Sequence, residues 1–536
     1  MLVITGIDFD RNENKICFCK IYNLLWRFFQ IMFPTDTDFE TEITLETEAS
    51  PAADDLPFKI LFMGDWRGRN PPPNIEAFKS RPIEIDRDNF DEVLRKYNVG
   101  LDLTFEDGGN NLSLEFTELD DFHPDKIFQR VSLFSNLRDI RKKLSNSDTF
   151  NEAAREVRSW MKNDARRNSD ENPQPEQTAA DSQPAPADLL DQILGRNSEY
   201  IPSSQKANVL SLELSTFVNK LVKPYLIQTD SDDQANLLLI VDEITSDLMR
   251  KILHHPHFQA LESAWRGAYL LVRKIETDNN LKVFLFDIDK SELSEDLKSA
   301  DLTDNRINRL MNDPDHCWAV VCGNYTFELN VEDAAVLIRL AKLGYNSDVP
   351  FISHILPVMF GFKSFAAVSA SDRLQISENT PETKLWNVLR SLPEATHIGL
   401  ALPRFLARLP YGATTEPTET FYFEEFTRID QHEHYLWANP AFICALLLAR
   451  SFSESGWDLS NNLIQDFDGL PLYFYQEESE TKSKSCGETM MTQNNAEVLI
   501  GQGLMPVISF RDTDRLRVGR FQSITFSESM LSGRWR

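Results

Sequence analysis

Three histidines fall within four positions of KILHHPHFQALESAWRG, residues 251–267. Imidazole is the commonest protein ligand for zinc and titrates near neutral pH. His254, His255 and His257 are therefore the first candidates for a metal centre or for the acid–base pair of a metal-dependent hydrolase. Two metal-binding histidines on one helix must share a face, as in H-E-x-x-H, with a third ligand arriving from elsewhere. Pro256 argues against such a face, because proline suits the first position of a helix and breaks its interior. The spacing predicts a helix starting at Pro256, with Phe258, Leu261, Trp265 and either Ala268 or Tyr269 as its buried stripe. Leu237–Leu253 carries a second helical pattern, which places the histidines at the corner of a helical hairpin, a structural position.

Other candidates reduce to packing in the same way. Arg404 and Arg408 of LPRFLARLPYG are spaced as an anion clamp, since each guanidinium offers two parallel donors to a carboxylate or phosphate. Pairing with Glu424 and Glu425 of FYFEEF is the favoured alternative. Asp86, Asp88 and Asp91 bring carboxylates close together, but Asp88 is placed as a helix N-cap. Gly361–Ser364 (GFKS) lacks the leading glycines of a phosphate loop, and no GxxxxGK[ST], GxGxxG or GxSxG pattern is present. Cys17, Cys19, Cys317, Cys322, Cys444 and Cys486 are scattered without a CxxC pair, so free thiols in a reducing compartment are expected. The expectation is a protein with no catalytic residue, metal ligand or cofactor.

The elements that carry these residues belong to a folded chain. At 536 residues, with 42% hydrophobic and 26% charged residues, two to four domains are expected. A formal charge of −28 disfavours nucleic acid as a partner, since a phosphate backbone needs clustered Lys and Arg. Cys17–Phe33 is apolar but interrupted by Lys20 and Arg27, short of the ~20 residues of a membrane span. Membrane insertion and export are not expected, and a cytoplasmic location follows. A start at Met32, with the preceding residues untranslated, is the favoured reading of this end.

Residues 1–56 are expected to be disordered or mis-assigned, apart from FETEITLETE at 39–48, whose alternation suits a strand once a sheet edge is offered. FKILFMGDW reads as a buried strand, RPIEIDRDNFDEVLRKYN as a strand end and a helix, and LSLEFTELDDFHPDKIFQRV as a strand and a helix. Leu133–Met161 continues as amphipathic helix. Lys162–Ala187 is poor in large apolar residues and is expected to be a flexible linker. Beyond it, helices give way at KVFLFDIDKSEL to a strand and helix alternation carried on by CWAVVCGNYTF, VEDAAVLIRLAKLGYN and VPFISHILPVMFG. The fold class is α/β, mixed with α+β character: a smaller domain at 57–161, a disordered linker at 162–186 and a larger α/β region at 187–536. ADLLDQILGRN places Leu189, Leu190, Ile193 and Leu194 on one face of a short helix that ends at Gly195.

Two sets of motifs carry a resemblance. FKILFMGDWRGR, RPIEIDRDNFDEVLRKYN, LEFTELDDFHPDKIFQRVSLFSNLRDIRKKL and NSDTFNEAAREV resemble the small subunit of the type VI secretion contractile sheath, the VipA or TssB family. ILHHPHFQALESAWRGAYLLV, LALPRFLARLPYGA, YLWANPAFICALLLARSFSESGW and GLPLYFY resemble the large subunit, the VipB or TssC family. The resemblance implies a structural sheath protein with two normally separate subunits joined in one chain. It also implies a shortened large subunit, ending at Arg536 before its usual C-terminal domain. Implied partners are other sheath protomers, a tube of Hcp hexamers, a baseplate and a ClpV-type AAA+ unfoldase. It also implies a donor strand around Phe39, Ile43 and Leu45, and an unfoldase contact through Leu189, Leu190, Ile193 and Leu194. A non-polymerising cap or regulator with the same fold is the alternative. Cys486-Gly487-Glu488 stands where the family tends to have Pro-Thr-Glu.

Overall fold

The computed structural model describes residues 56–68, 81–105, 111–167, 234–299, 305–368, 373–377, 379–428, 431–477 and 480–535. FKILFMG forms β1 (Phe58–Gly64), whose run of apolar residues suits a strand covered on both faces. After β2 (Ile83–Ile85) and α1 (Phe90–Tyr97) comes a hairpin of β3 (Val99–Thr104) and β4 (Asn111–Phe116). Helices α2 (Pro124–Arg130), α3 (Ser135–Ser145) and α4 (Phe150–Arg167) follow. The single amphipathic helix expected over Leu133–Met161 is therefore two. Lys143 and Asn146 supply carbonyls to the Thr149 hydroxyl and amide, which turns the chain between them. α4 also runs to Arg167, so Lys162–Arg167 of the expected linker is helical.

The chain resumes at α5 (Gln234–Leu253) and α6 (Pro256–Lys274), then β5 (Leu281–Asp287), α7 (Lys290–Leu297), α8 (Arg306–Met311), β6 (Val320–Phe327), α9 (Val331–Ser347), β7 (Phe351–Ile355), α10 (Pro381–Arg390) and β8 (Ile398–Leu402). The last part holds β9 (Phe405–Leu406), β10 (Trp437–Ala438), α11 (Ala441–Ser455), β11 (Asp466–Phe467), the hairpin β12 (Tyr473–Glu477) and β13 (Glu480–Lys484), α12 (Gln493–Gly501), β14 (Met505–Ser509) and β15 (Leu516–Val518). Among the described residues no helix is long and apolar enough to cross a membrane.

The main sheet has nine strands in the order β11-β15-β14-β8-β7-β6-β1-β5-β2. Its centre is parallel, as alternating strands and helices predict, and β2, β15 and β11 are antiparallel additions at the edges. β1 lies between β5 and β6, pairing in register from Phe58 with Leu281 to Gly64 with Asp287 on one side and from Ile60 with Val320 to Met63 with Gly323 on the other. The 57–161 segment and the region after 234 therefore share one sheet.

Alternation along β1 divides the core. Phe58, Ile60 and Phe62 face α6 and α11 together with the helices of the first segment, whereas Leu61 and Met63 face the layer of α7 to α10. Phe62 stacks on Phe442 of α11 with centroids 4.4 Å apart. Trp265 of α6 sits edge-on to Trp66, Phe90 and Tyr97, and its indole N–H donates to the Trp66 carbonyl at 3.0 Å.

Candidate functional site

The histidine corner forms as its sequence predicts. α5 ends at Leu253, Pro256 opens α6, and His255 is the N-cap, its Nδ1 accepting from the His257 amide at 3.3 Å. Ala268 completes the buried stripe of Phe258, Leu261 and Trp265, while Tyr269 is partly exposed. The three imidazoles have different neighbours. His254 stacks on His434 at 3.9 Å, with Nε2 3.6 Å from Glu425. His255 lies over His257 at 5.3 Å and edge-on to Phe105. Among the described residues no three His, Cys, Asp or Glu side chains are grouped to hold a metal.

Glu425 leads to the chemical centre of the molecule. Arg408, buried, donates from Nε and Nη2 to Glu262 of α6 at 2.7 and 3.2 Å, and from Nη1 and Nη2 to Glu425 at 2.7 and 3.0 Å. Arg266, one turn after Glu262, donates to it at 2.7 Å and to the Tyr411 hydroxyl at 2.9 Å. The Tyr411 amide reaches Glu425 at 2.7 Å, and the Arg408 guanidinium lies 4.2 Å from the Tyr411 ring centroid. Burial raises the Glu425 carboxyl, but the Arg408 charge and hydrogen bonds, with the nearby His254 ring, outweigh it and hold the group down at about 2. Two guanidiniums balance two carboxylates, and all three nitrogens of Arg408 face fixed acceptors.

Arg404 is held separately. It donates to Glu488 from Nη2 at 2.7 Å and from its amide at 3.0 Å, and reaches Glu433 at 3.4 Å, while His432 approaches Glu488 at 3.4 Å. The two arginines thus form no shared clamp, and each already binds the protein's own carboxylates. Of the expected partners Glu425 pairs with Arg408. Glu424 instead accepts from the Ala413 amide at 3.0 Å. Glu262 and Glu488, distant in sequence, are the partners that local spacing did not reveal. Asp88 is likewise not the cap of α1: that position falls to Asn89, and Asp86 accepts from the amides of Asp88 and Asn89, both at 2.8 Å. In GFKS, Gly361 caps a 3-10 turn at φ +83° and the Ser364 hydroxyl accepts from the Ala366 amide.

Three further polar residues join the layers. Asp125 at the start of α2 accepts from the amides of Glu419 and Thr420 at 2.9 and 3.1 Å, fastening the first segment to the 410–428 loop. Ser353 and Asn439 both donate to the carbonyls of Gly323 and Tyr325, where the β6–β7 register shifts. Asn439, the asparagine of YLWANPAF, thereby repairs a bulge in the central sheet.

His354 of β7 is buried beside the Arg404 pair, with Nδ1 3.2 Å from the Thr326 hydroxyl. Burial and then the Arg404 charge, opposed by Glu488, push it down to about 3. An unfolded histidine takes a proton near pH 6.5, so the unfolded state binds more protons from there down to about pH 3. Stability present at neutral pH is thus lost on acidification, at up to roughly 1.4 kcal/mol per pH unit from this group. Urea midpoints measured from pH 7.5 to 4.5 should fall along that slope and fall less steeply in His354→Gln; equal slopes would exclude the assignment.

The expected donor strand (Phe39, Ile43, Leu45) and the helix bearing Leu189, Leu190, Ile193 and Leu194 lie outside the described residues.

Residues 235–525 match the VipB (EvpB) tail sheath N-terminal domain, and residues 40–169 match the VipA family of the type VI secretion system. Sheath protein TssC1 of the type VI secretion system of Pseudomonas aeruginosa is 31% identical over 338 residues, covering 59% of this chain and 67% of that protein. Sheath protein TssB1 of the same organism is 33% identical over 101 residues, 18% of this chain and 58% of that protein. The chain therefore spans about two thirds of one relative and somewhat over half of the other. The chain belongs to the type VI secretion tail sheath family, with small-subunit and large-subunit sequences in one polypeptide.

Proposed function

We propose that this chain is a structural subunit of the contractile sheath in the bacterial cytoplasm, assembling with other protomers around an Hcp tube from a baseplate and contracting to propel that tube. It performs no catalysis in this role. The observation that supports the reading is the insertion of β1 between β5 and β6, which makes the small-subunit and large-subunit sequences one body able to carry load as a unit. Electron microscopy of the purified protein, with and without Hcp, tests it: tubules are the expected result, and small particles only would favour a non-polymerising cap or regulator.

Residues 39–48 are the link between protomers in this proposal, with Phe39, Ile43 and Leu45 added as a strand to a neighbour's sheet. Deleting 36–50 should leave a soluble monomer that no longer assembles; assembly that survives the deletion removes the strand from the mechanism.

Leu189, Leu190, Ile193 and Leu194 are the handle for a ClpV-type hexameric AAA+ unfoldase, so that ATP is hydrolysed by the partner. Each apolar anchor contributes about 1.5–3 kcal/mol when buried. Leu190→Asp with Ile193→Asp should abolish binding to the N-terminal domain of the unfoldase at unchanged circular dichroism. Unchanged affinity would refute the contact.

A further inference from the structure

Two imidazoles from distant segments meet face to face beside the charge centre. His254 follows the end of α5, and His434 belongs to the 3-10 turn His432–His434 that precedes β10. Their ring centroids are 3.9 Å apart and their planes lie within 18° of each other. Uncharged bonds run beside the stack: the Gln259 side-chain amide of α6 donates to the carbonyls of Glu433 and His434 at 3.1 and 3.2 Å.

The charged and titratable neighbours fix what protons do here. The buried Nε2 of His254 makes no hydrogen bond and lies 3.6 Å from Oε1 of Glu425, a carboxylate that Arg408 already binds. Arg250, one turn before His254, is tied to Asp247 and to the Glu424 carbonyl. His434 Nδ1 lies 3.0 Å from the Gln431 side-chain oxygen. Glu433 is largely exposed and pairs with Arg404 at 3.4 Å, and the Lys484 amine packs on the rings of Tyr435 and Trp437 at 4.9 and 5.7 Å. His255 and His257 form a looser pair, 5.3 Å apart, at the start of α6.

This arrangement accepts one proton in the stack but not two. A proton on His254 Nε2 meets Glu425, while His434 stays neutral against the charged ring. A second proton sets two imidazolium rings face to face, with Glu425 already committed to Arg408. Burial, and then the His254 charge, lower the proton affinity of His434 below the ordinary histidine value against the opposing pull of Glu425 and Glu433. An opened turn therefore takes up the second proton more readily than a closed one, and closure weakens as pH falls below about 6.5. His432 works the other way: a proton there strengthens its 3.4 Å contact with Glu488, so acid does not detach the turn through that residue.

We propose that the His254–His434 stack is an acid-operated latch between the helical corner and the turn before β10. It stays closed while the two rings share at most one proton and opens when acidification charges both. The turn also seats the β12–β13 hairpin, since Tyr435 lies 6.2 Å from Tyr473 and, with Trp437, holds the Lys484 amine. Release of the latch loosens that hairpin while the main sheet stays folded.

Amide hydrogen exchange of the full chain at pH 7.5 and pH 5.0, read by mass spectrometry and corrected for the intrinsic pH dependence of exchange, tests the latch. The amides of His434 and Tyr435 donate to the carbonyls of Gln431 and His432 at 3.1 and 3.4 Å, so they report opening of the turn. At labelling times over which 441–455 of α11 stays protected at both pH values, peptides covering 431–438 should exchange at least about fivefold faster at pH 5.0. His434→Phe and His254→Phe each keep an aromatic ring in the stack and remove one of its two proton sites, from opposite segments. Either should hold the change in 431–438 below about twofold. No acid-induced change in the parent overturns the proposal, and so does a change that persists in either variant. Exchange of 441–455 as fast as 431–438 at pH 5.0 also overturns it, because the opening is then the general unfolding to which His354 contributes.

Discussion

Replacing Phe62 with aspartate is expected to unfold both halves of the chain in a single transition. Phe62 is fully buried in the strand between β5 and β6, opposite Leu285 and Cys322 and stacked on Phe442. Losing the ring costs about 3–5 kcal/mol, as in other buried phenylalanine truncations. An unpaired carboxylate in its place adds several more. Against the ~5–15 kcal/mol by which a folded domain usually exceeds its unfolded state, the sum is decisive. Because β1 belongs to the first segment in sequence and to the second in space, the damage does not stay in residues 57–161. Far-ultraviolet circular dichroism and tryptophan fluorescence should lose their transitions together, with Trp66 on one segment and Trp318 and Trp386 on the other as reporters. A region beyond residue 234 that still melts cooperatively at the parental midpoint would show the sharing of the sheet to be energetically unimportant.

The second large effect belongs to Arg408→Leu. Removing this guanidinium leaves Glu262 and Glu425 buried without their main counter-charge, a loss of about 3–5 kcal/mol by analogy with broken buried ion pairs. The contribution of Glu425 to the pH dependence should change sign. In the parent, Glu425 is held at about 2, so its contribution is present above the ordinary carboxylate range and is lost as pH falls towards that value. In the variant, desolvation without Arg408 raises the folded Glu425 carboxyl above its unfolded value. The folded state then binds more protons, and stability falls as pH rises through neutrality. Between pH 7.5 and pH 5 the urea midpoint of Arg408→Leu should rise relative to that of the parent measured at the same pH, the His354 contribution being common to both. Glu262→Gln and Glu425→Gln added to the same variant should recover most of the loss at pH 7.5. A single variant within about 1 kcal/mol of the parent at neutral pH would mean that the centre is solvated enough to do without its arginine.

Local pattern carried much of this architecture. The Pro256 corner follows from proline chemistry, and the stripe through Trp265 from a period of 3.6. FKILFMG was legible as a buried strand because its apolar residues do not alternate. Which strands would flank it was not, since pairing with Leu281–Asp287 and Val320–Gly323 is a long-range choice with no short-range signature. The same limit applies to the charge centre. Glu425 lies close to Arg408 in sequence and was expected as its partner, but Glu262 is 146 residues away and becomes a partner only when α6 packs against the 404–411 segment. Asn89 displaced Asp88 at the start of α1 because Asp86 already supplies the turn with a carboxylate, a competition between neighbours that residue preference alone does not resolve.

The position of β1 also determines how the protein bears tension. A pull on the chain ahead of Phe58 acts along the axis of a strand flanked on both sides by parallel neighbours. The hydrogen bonds to β5 and β6 lie across that axis, so they are loaded in shear and must fail together. In an edge hairpin such as β12–β13, tension at the open end would part them one after another, as in a zip. A link between protomers built on the residues preceding β1 would therefore deliver its force into the strongest mechanical geometry that this sheet offers.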